Sequence, residues 1–190
     1  MSSVIYDISM SLDGYVRAAN PRPEEPLGEG GEALHAWLGD GDAGELLDRS
    51  LGAMGAMICG RVTYDDSIRW WQADGPSGAA RLPLFVVSHT VPSDVPEGGV
   101  YTFVTTGIED ALAQARAAAG AKTVAIMGGP TLATQYLRAG LVDQVGIHLA
   151  PVLFGGGTRL TEALPAPIAL ELADQRSTSG ALHLRYRIAS

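Results

Sequence analysis

The sequence predicts an α/β fold built on a mainly parallel sheet with an antiparallel C-terminal edge. Three observations carry this. Between residues 56 and 139, short apolar runs alternate with helical patterns, as parallel βαβ units require. Two of those runs pass through glycine straight into a helix, at Ile58-Cys59-Gly60-Arg61 and at Ile126-Met127-Gly128-Gly129-Pro130. Past residue 145 the helical patterns stop and strand candidates follow one another.

The elements follow in order. Val4, Tyr6, Ile8 and Met10 share one face of a first strand over 4–11, with Ile5, Asp7, Ser9 and Ser11 on the other. Leu12-Asp13-Gly14 turns it. Residues 17–31, with three prolines and several acids, read as a long surface loop. Short helices follow over 32–38 and 43–54, the second with Leu47, Leu51 and Met54 inward. A strand over 56–59, a helix over 61–70 and strands over 84–87 and 101–105 come next. Thr106 and Glu109 have capping-box spacing ahead of a helix over 111–119, which Gly120 stops. A strand over 124–127 and a helix over 130–139, stopped by Gly140, complete the alternation. The late strands span 145–149, 168–172 and 182–188. The whole chain, 1–190, reads as one domain.

Composition narrows the function. With 190 residues, 46% hydrophobic and 18% charged, the chain supports a full core and is too apolar for disorder at a net charge of −8. Eight acids and no Lys or Arg lie between Glu24 and Asp48; outside that stretch 13 acids meet 13 bases. Such a surface argues against nucleic acid, whose phosphates need Lys and Arg. No apolar run reaches membrane-span length, and no signal peptide stands at the N-terminus, so a cytoplasmic protein is expected. Cys59 is the one cysteine, and four dispersed histidines without H-E-x-x-H spacing give no metal site.

Three glycine-rich segments invite a phosphate reading. Gly39-Asp40-Gly41-Asp42-Ala43-Gly44 matches G-x-G-x-x-G, but a helical pattern precedes it and two aspartates would face the anion. It is set aside. At Met127-Gly128-Gly129-Pro130-Thr131, the glycines permit close backbone approach and Pro130 suits the first helical position, so free N–H groups can face an anion. A tight turn that binds nothing is the alternative. At Gly60-Arg61, an Arg stands where α/β ligands bind, either to meet a phosphate or to pair with Asp65 or Asp66.

In this order, Ser11-Leu12-Asp13-Gly14, Cys59-Gly60-Arg61-Val62-Thr63-Tyr64, Phe85-Val86-Val87-Ser88 and Met127-Gly128-Gly129 with Gln135-Tyr136-Leu137 resemble the dihydrofolate reductase fold. Gly140-Leu141-Val142-Asp143, then Ala150-Pro151-Val152-Leu153-Phe154-Gly155-Gly156-Gly157, is similar to one branch of it. That branch holds the reductase domain of bifunctional riboflavin-biosynthesis enzymes and stand-alone reductase-like proteins. The resemblance covers roughly residues 4 to 188. It implies a three-layer fold with helices on both faces of the sheet, a homodimer, and residues 17–45 as an acidic insertion near the active site.

It also implies an NADPH site. Gly60, Arg61 and Thr63 match the segment holding the adenosine phosphates, and Ser88 with His89 the strand end at the 2′-phosphate. Met127, Gly128, Gly129, Thr131 and Leu132 match the pyrophosphate turn, where the family has a cis Gly–Gly peptide. Gln135 matches the adenine side, and Ser9 and Val16 the nicotinamide end. The substrate side departs from folate reductases. They carry a carboxylate on the inward face of the helix before the Gly-Arg strand end; here Glu45 lies opposite Leu47, and Asp42 and Asp48 are also off the core face. Asp7 and His148 are the candidate catalytic pair in its place, with a backbone-bonded Asp7 and a core histidine as the plain alternative. Trp37, Trp70 and Trp71 read as packing anchors, His35 and His183 as surface or core residues, and Gly155-Gly156-Gly157 as a hairpin or bulge.

The expected function is an NADPH-dependent reductase of a small pteridine- or pyrimidine-like, carbonyl or imine substrate. The alternatives are a 5-amino-6-(5-phosphoribosylamino)uracil reductase-type activity and a nucleotide- or pteridine-binding protein without turnover.

Overall fold

Val4, Ile5 and Tyr6 are buried on both faces of their strand, as an interior parallel strand requires. In the computed structural model, which describes residues 2–39, 41–161 and 164–189, β1 (Val4–Ser11) lies between β6 (Thr123–Ile126) and β7 (Gln144–Ala150) and runs parallel to both. On the β6 side follow β3 (Met54–Gly60), β4 (Leu84–Val87) and β5 (Tyr101–Val104), all parallel. On the β7 side β10 (Leu182–Ile188) and β9 (Leu170–Ser177) pair antiparallel. The eight-stranded sheet thus has the mostly parallel body and antiparallel C-terminal edge read from the sequence.

Helices cover both faces. On one, α3 (Ile108–Ala119) turns Ala111, Ala115 and Ala119 inward, small enough for close approach to the sheet. Beside it, α4 (Pro130–Arg138) buries Leu132, Ala133, Tyr136 and Leu137 against Val4, Tyr6 and Ile126. Each of the two leucines is worth about 1.5–3 kcal/mol of burial. On the other face, α2 (Arg61–Trp71) packs Tyr64 against Met57, Cys59 and Val86. No helix among the described residues is long and apolar enough to cross a membrane.

Several elements differ from the sequence reading. Residues 31–39 form a 3-10 helix rather than an α-helix. The next helix, α1 (Gly44–Ala53), stops before Met54, which begins β3, and buries no residue fully; Leu47 and Leu51 are half-buried and line a cavity, Leu47 also packing against the small cluster of Trp37, Ala43 and Ala181. Thr106 makes no capping box. Gly107 is the N-cap of α3, and the Thr106 hydroxyl bonds the Asp110 carboxylate. The 17–31 loop is entered through β2 (Tyr15–Ala18), which pairs with β8 (Gly157–Arg159), so Gly157 opens a strand. These strands are too short to show alternation. The 168–172 strand is displaced to 170–177 and exposed along most of its length, so it carries no apolar period. The 39–44 glycine string follows a 3-10 helix, not a strand, and its Asp40 lies outside the described residues.

The Ser11-Leu12-Asp13-Gly14 motif is a latch. Asp13 accepts from the Ser11 hydroxyl at 2.7 Å and from the Phe154 and Gly155 N–H groups at 3.2 and 2.7 Å. These bonds, the Ser11 one foremost, hold its carboxyl down at about 2. A carboxylate with a depressed folded pKa stabilises above its unfolded value, ~3.9, and the latch is lost as pH falls toward about 2. Amide exchange at Phe154 and Gly155 should accelerate across that window; protection unchanged by acid would contradict the latch.

Candidate active site

Two strand-to-helix turns face each other at the C-terminal ends of β3 and β6. Gly60 leads into Arg61 of α2, and Met127-Gly128-Gly129 leads into Pro130 of α4. Neither helix start carries a side-chain cap, so first-turn N–H groups and the positive dipole ends face the space between them. Thr63 ties the turns together, its hydroxyl oxygen accepting the Gly129 N–H at 3.2 Å. Gly128 has φ +91°, and a Cβ there would lie 2.2 Å from Thr63 Oγ1, so both backbone and space demand glycine. From β1, the Tyr6 hydroxyl donates to the Gly128 carbonyl at 3.4 Å. No cis peptide bond occurs among the described residues, so the Gly–Gly bond is trans, unlike the cis bond the resemblance implies.

Around this cradle, Arg61 Nε lies 2.7 Å from Asp65 Oδ1 and Nη1 3.4 Å from the Thr90 carbonyl. The Arg61–Asp65 pair weighed from the sequence therefore forms, and it holds the guanidinium beside the loop after β4. In that loop Ser88 shapes its own turn, donating to the Thr90 carbonyl at 2.7 Å and accepting the Thr90 N–H at 3.3 Å. The Gln135 amide, one turn into α4, donates back to the Thr131 carbonyl at 3.4 Å.

The second half of the site is a polar row across three strands. Register sets Ser9 opposite His148 and His148 opposite His183, so all three project from one face. Asp7 stands opposite Gly146, and a Cβ at Gly146 would lie 2.0 Å from Asp7 Oδ1; the bare backbone makes room for the carboxylate. Asp7 Oδ1 is 3.5 Å from His148 Nε2, with both side chains largely buried. His148 Nδ1 faces His183 Nδ1 at 2.7 Å. Trp37 covers the row: its indole N–H donates to Ser9 Oγ at 3.0 Å, and its ring lies 4.3 Å from the His148 ring and edge-on to His183 at 4.9 Å. Burial first, and the neighbouring His148 second, push the imidazole pKa of His183 and of His35 down.

Both halves open into one cavity of about 1710 Å³, and every one of the fifteen residues singled out from the sequence lines it. Small-molecule pockets usually span ~300–1,000 Å³, so this one has room for a dinucleotide and a second ligand. The wall beyond Asp7 and His148 is apolar and acidic, from Leu47, Leu51 and Trp70 to Glu24, Glu25 and Glu32. Its one arginine, Arg17, is tied to Asp66 at 3.2 Å. Helix α1 shows this cavity no carboxylate; Glu45 turns outward to Arg176 at 3.6 Å.

A family model described as the RibD C-terminal domain matches residues 2–184. The chain belongs to that family. Among solved structures, a putative riboflavin biosynthesis protein from Shewanella sp. PV-4 shares the fold with a TM-score of 0.71 at 23% identity, each chain covered in full. A pyrimidine reductase-like protein from Corynebacterium diphtheriae gives 0.67 at 16%, over 100% of this chain and 92% of that one. The Thermotoga maritima diaminohydroxyphosphoribosylaminopyrimidine deaminase/5-amino-6-(5-phosphoribosylamino)uracil reductase gives 0.65 at 10%, over 99% of this chain but 57% of that one. None of the curated proteins matches the chain. As a RibD C-terminal domain protein it is an oxidoreductase of dihydrofolate reductase-like fold.

Four residues that line or support this cavity read differently in the sequence or carry no signal there. In sequence His183 and His35 read as surface or core residues and Trp37 as a packing anchor, and Gly146 carries no signal. The places of Gly146 and His183 depend on strand register, which brings residues 7, 146, 148 and 183 together across 176 positions of chain, while His35 and Trp37 come from the 3-10 helix laid over that row.

Proposed function

We propose that the chain is an NADPH-dependent reductase of a small, flat, unphosphorylated heterocycle of pyrimidine or pteridine type, or of a carbonyl or imine on such a ring. The reading rests on one observation: an anion cradle built from two helix N-termini opens into the same cavity as an Asp–His pair. The residues suit the cofactor. The Gly128 turn leaves the close approach that a pyrophosphate needs, with Gly60, Thr63, Thr131 and Leu132 around it. Arg61, held by Asp65, would meet the 2′-phosphate with Ser88 and His89; Met127 and Gln135 would line the adenine side, and Ser9 and Val16 the nicotinamide end. When bound, NADPH supplies the hydride.

The chain's own part is the proton. Asp7 and His148 hold it at Oδ1 or Nε2, in position for the heteroatom beside the carbon being reduced. Trp37 and the leucines of α1 keep water from that end. A sugar phosphate finds little there: Arg17 already answers Asp66, and Glu24, Glu25 and Glu32 repel an anion. This favours an unphosphorylated ring over the phosphoribosylaminouracil-type substrate. On this reading the enzyme works in the cytoplasm.

Nicotinamide fluorescence with NADPH and NADH tests it. NADPH should bind ~10–100-fold more tightly than NADH, the range of a charge-assisted Arg–phosphate contact, and Arg61→Ala should erase the difference. Binding of neither coenzyme would overturn the proposal. Turnover that survives Asp7→Asn would remove the pair from the chemistry.

A further inference from the structure

The polar row does not end at His183. Its Nε2 lies 2.9 Å from the Thr178 hydroxyl, in the turn between β9 and β10. Thr178 is half-buried, its neighbour Ser179 is exposed, and the Thr178 hydroxyl also reaches the Ala181 carbonyl at 3.3 Å. Four groups therefore stand in line from the cavity to the surface: Asp7, His148, His183 and Thr178, at 3.5, 2.7 and 2.9 Å.

The middle link constrains the rest. Two ring nitrogens 2.7 Å apart attract only with one proton between them, so one histidine donates while the other accepts. That leaves two polarities. In the first, Thr178 donates to His183 Nε2 and His183 Nδ1–H to His148 Nδ1, and His148 Nε2–H meets Asp7 Oδ1 across 3.5 Å, a charge contact that a small approach of the two side chains turns into a hydrogen bond. In the second, every bond is reversed: Thr178 donates to the Ala181 carbonyl, and the proton at the inner end sits on Asp7. A proton entering at Thr178 converts the first into the second, each group passing on the one it held.

We propose that Thr178, His183 and His148 form a proton wire that reloads Asp7 from the β9–β10 turn once cofactor and substrate have closed the cavity to water. The proposal rests on the reductase reading for the proton's destination. One proton enters at the turn and one leaves Asp7 for the substrate heteroatom. The substrate carbon takes hydride from reduced nicotinamide, which is oxidised as the substrate gains two electrons. When product leaves, cavity water resets the two tautomers. In this wire His148 touches the reacting pair, and His183 and Thr178 are positioning residues.

The surroundings keep His183 a relay rather than a store. His148 on β7 and Arg176, its partner on β9, oppose charge on it, with burial the larger cause; Asp7 on β1 and Asp42, ahead of α1, favour charge less strongly. His35, on the 3-10 helix, also faces His148.

Nitrogen-15 NMR of the histidine rings tests the wire on the ligand-free protein, where no substrate is needed. A far-downfield proton shared by His148 and His183 is expected, with one protonation step spread over both rings. Thr178→Val removes a hydroxyl that touches His183 alone, yet it should shift the His148 midpoint by about half a pH unit or more. His183→Gln should shift it further. A His148 titration indifferent to both variants, in protein whose amide spectrum shows the native sheet, would overturn the wire. NADPH fluorescence on the same samples separates the two readings. Coupled histidines without coenzyme binding keep the coupling but sink the reductase, while binding with an indifferent His148 sinks only the wire.

Discussion

Gly128→Ala is expected to weaken NADPH binding by at least ~100-fold while leaving the sheet intact. Two costs combine. Gly128 sits at φ +91°, where an L side chain costs about 1–2 kcal/mol. The new Cβ would also lie 2.2 Å from Thr63 Oγ1 and 2.7 Å from its Cγ2, so Thr63 must rotate away. Rotation breaks its bond to the Gly129 N–H and frees the start of α4 to shift. Since an anion held by backbone N–H groups depends on their aim, even a shift of about 1 Å is costly. Thermal unfolding should fall by several degrees, as ~1–2 kcal/mol implies for this size. Repeating the change in a Thr63→Ala background separates the causes: the Oγ1 and Cγ2 clashes disappear, while the 2.9 Å approach to the Cβ of residue 63 and the φ cost stay, so stability should recover in part. Wild-type NADPH affinity in Gly128→Ala would show that the turn binds no pyrophosphate.

Gly146→Ala attacks the other half of the site. Its Cβ would occupy the place of Asp7 Oδ1, 2.0 Å away, so the carboxylate must swing from His148. Turnover of any heterocycle that supports NADPH oxidation should fall ~10²–10⁴-fold, the usual contribution of a positioned acid. NADPH affinity should hold, because Gly146 does not line the cradle. A cycle with Asp7→Ala makes the test independent of substrate. Alone, Gly146→Ala should destabilise by about 1–3 kcal/mol; once Asp7 is alanine, most of that cost should vanish. Equal costs in both backgrounds would mean that the carboxylate does not depend on the gap.

What the sequence disclosed follows from how local each signal is. The two glycine turns and their helices are contiguous, so the strand–glycine–helix pattern at Gly60-Arg61 and at Gly128-Gly129-Pro130 was legible locally; alternation gave the face Asp7 shares with Ser9, and resemblance to a known fold gave that face its place at the pocket. His148 was placed near it by resemblance to a known fold. His183 was not, because its link to His148 exists only through the antiparallel register of β10 on β7, set 35 residues apart. Likewise β2 and β8, of four and three residues, hold each other across the chain and show no pattern of their own. Helix α1 misled for a physical reason: its apolar stripe faces a cavity, which a periodicity reads as core.

That helix carries a wider consequence. It buries no residue fully, and the 3-10 helix before it anchors chiefly through Gly31, Leu34 and Trp37. The two glycine turns and the polar row, by contrast, hang on the interior strands β3, β6, β1, β7 and β10. On the proposed reading, the wall that meets the substrate is therefore built on elements separate from the strands that hold Asp7 and His148. Ser50 and Leu51 can be exchanged with little penalty to folding, whereas Leu46 and Leu47 must stay apolar because they also pack against Trp37, Ala43 and Ala181. A library confined to those four positions should change which substrate is accepted and spare the chemistry.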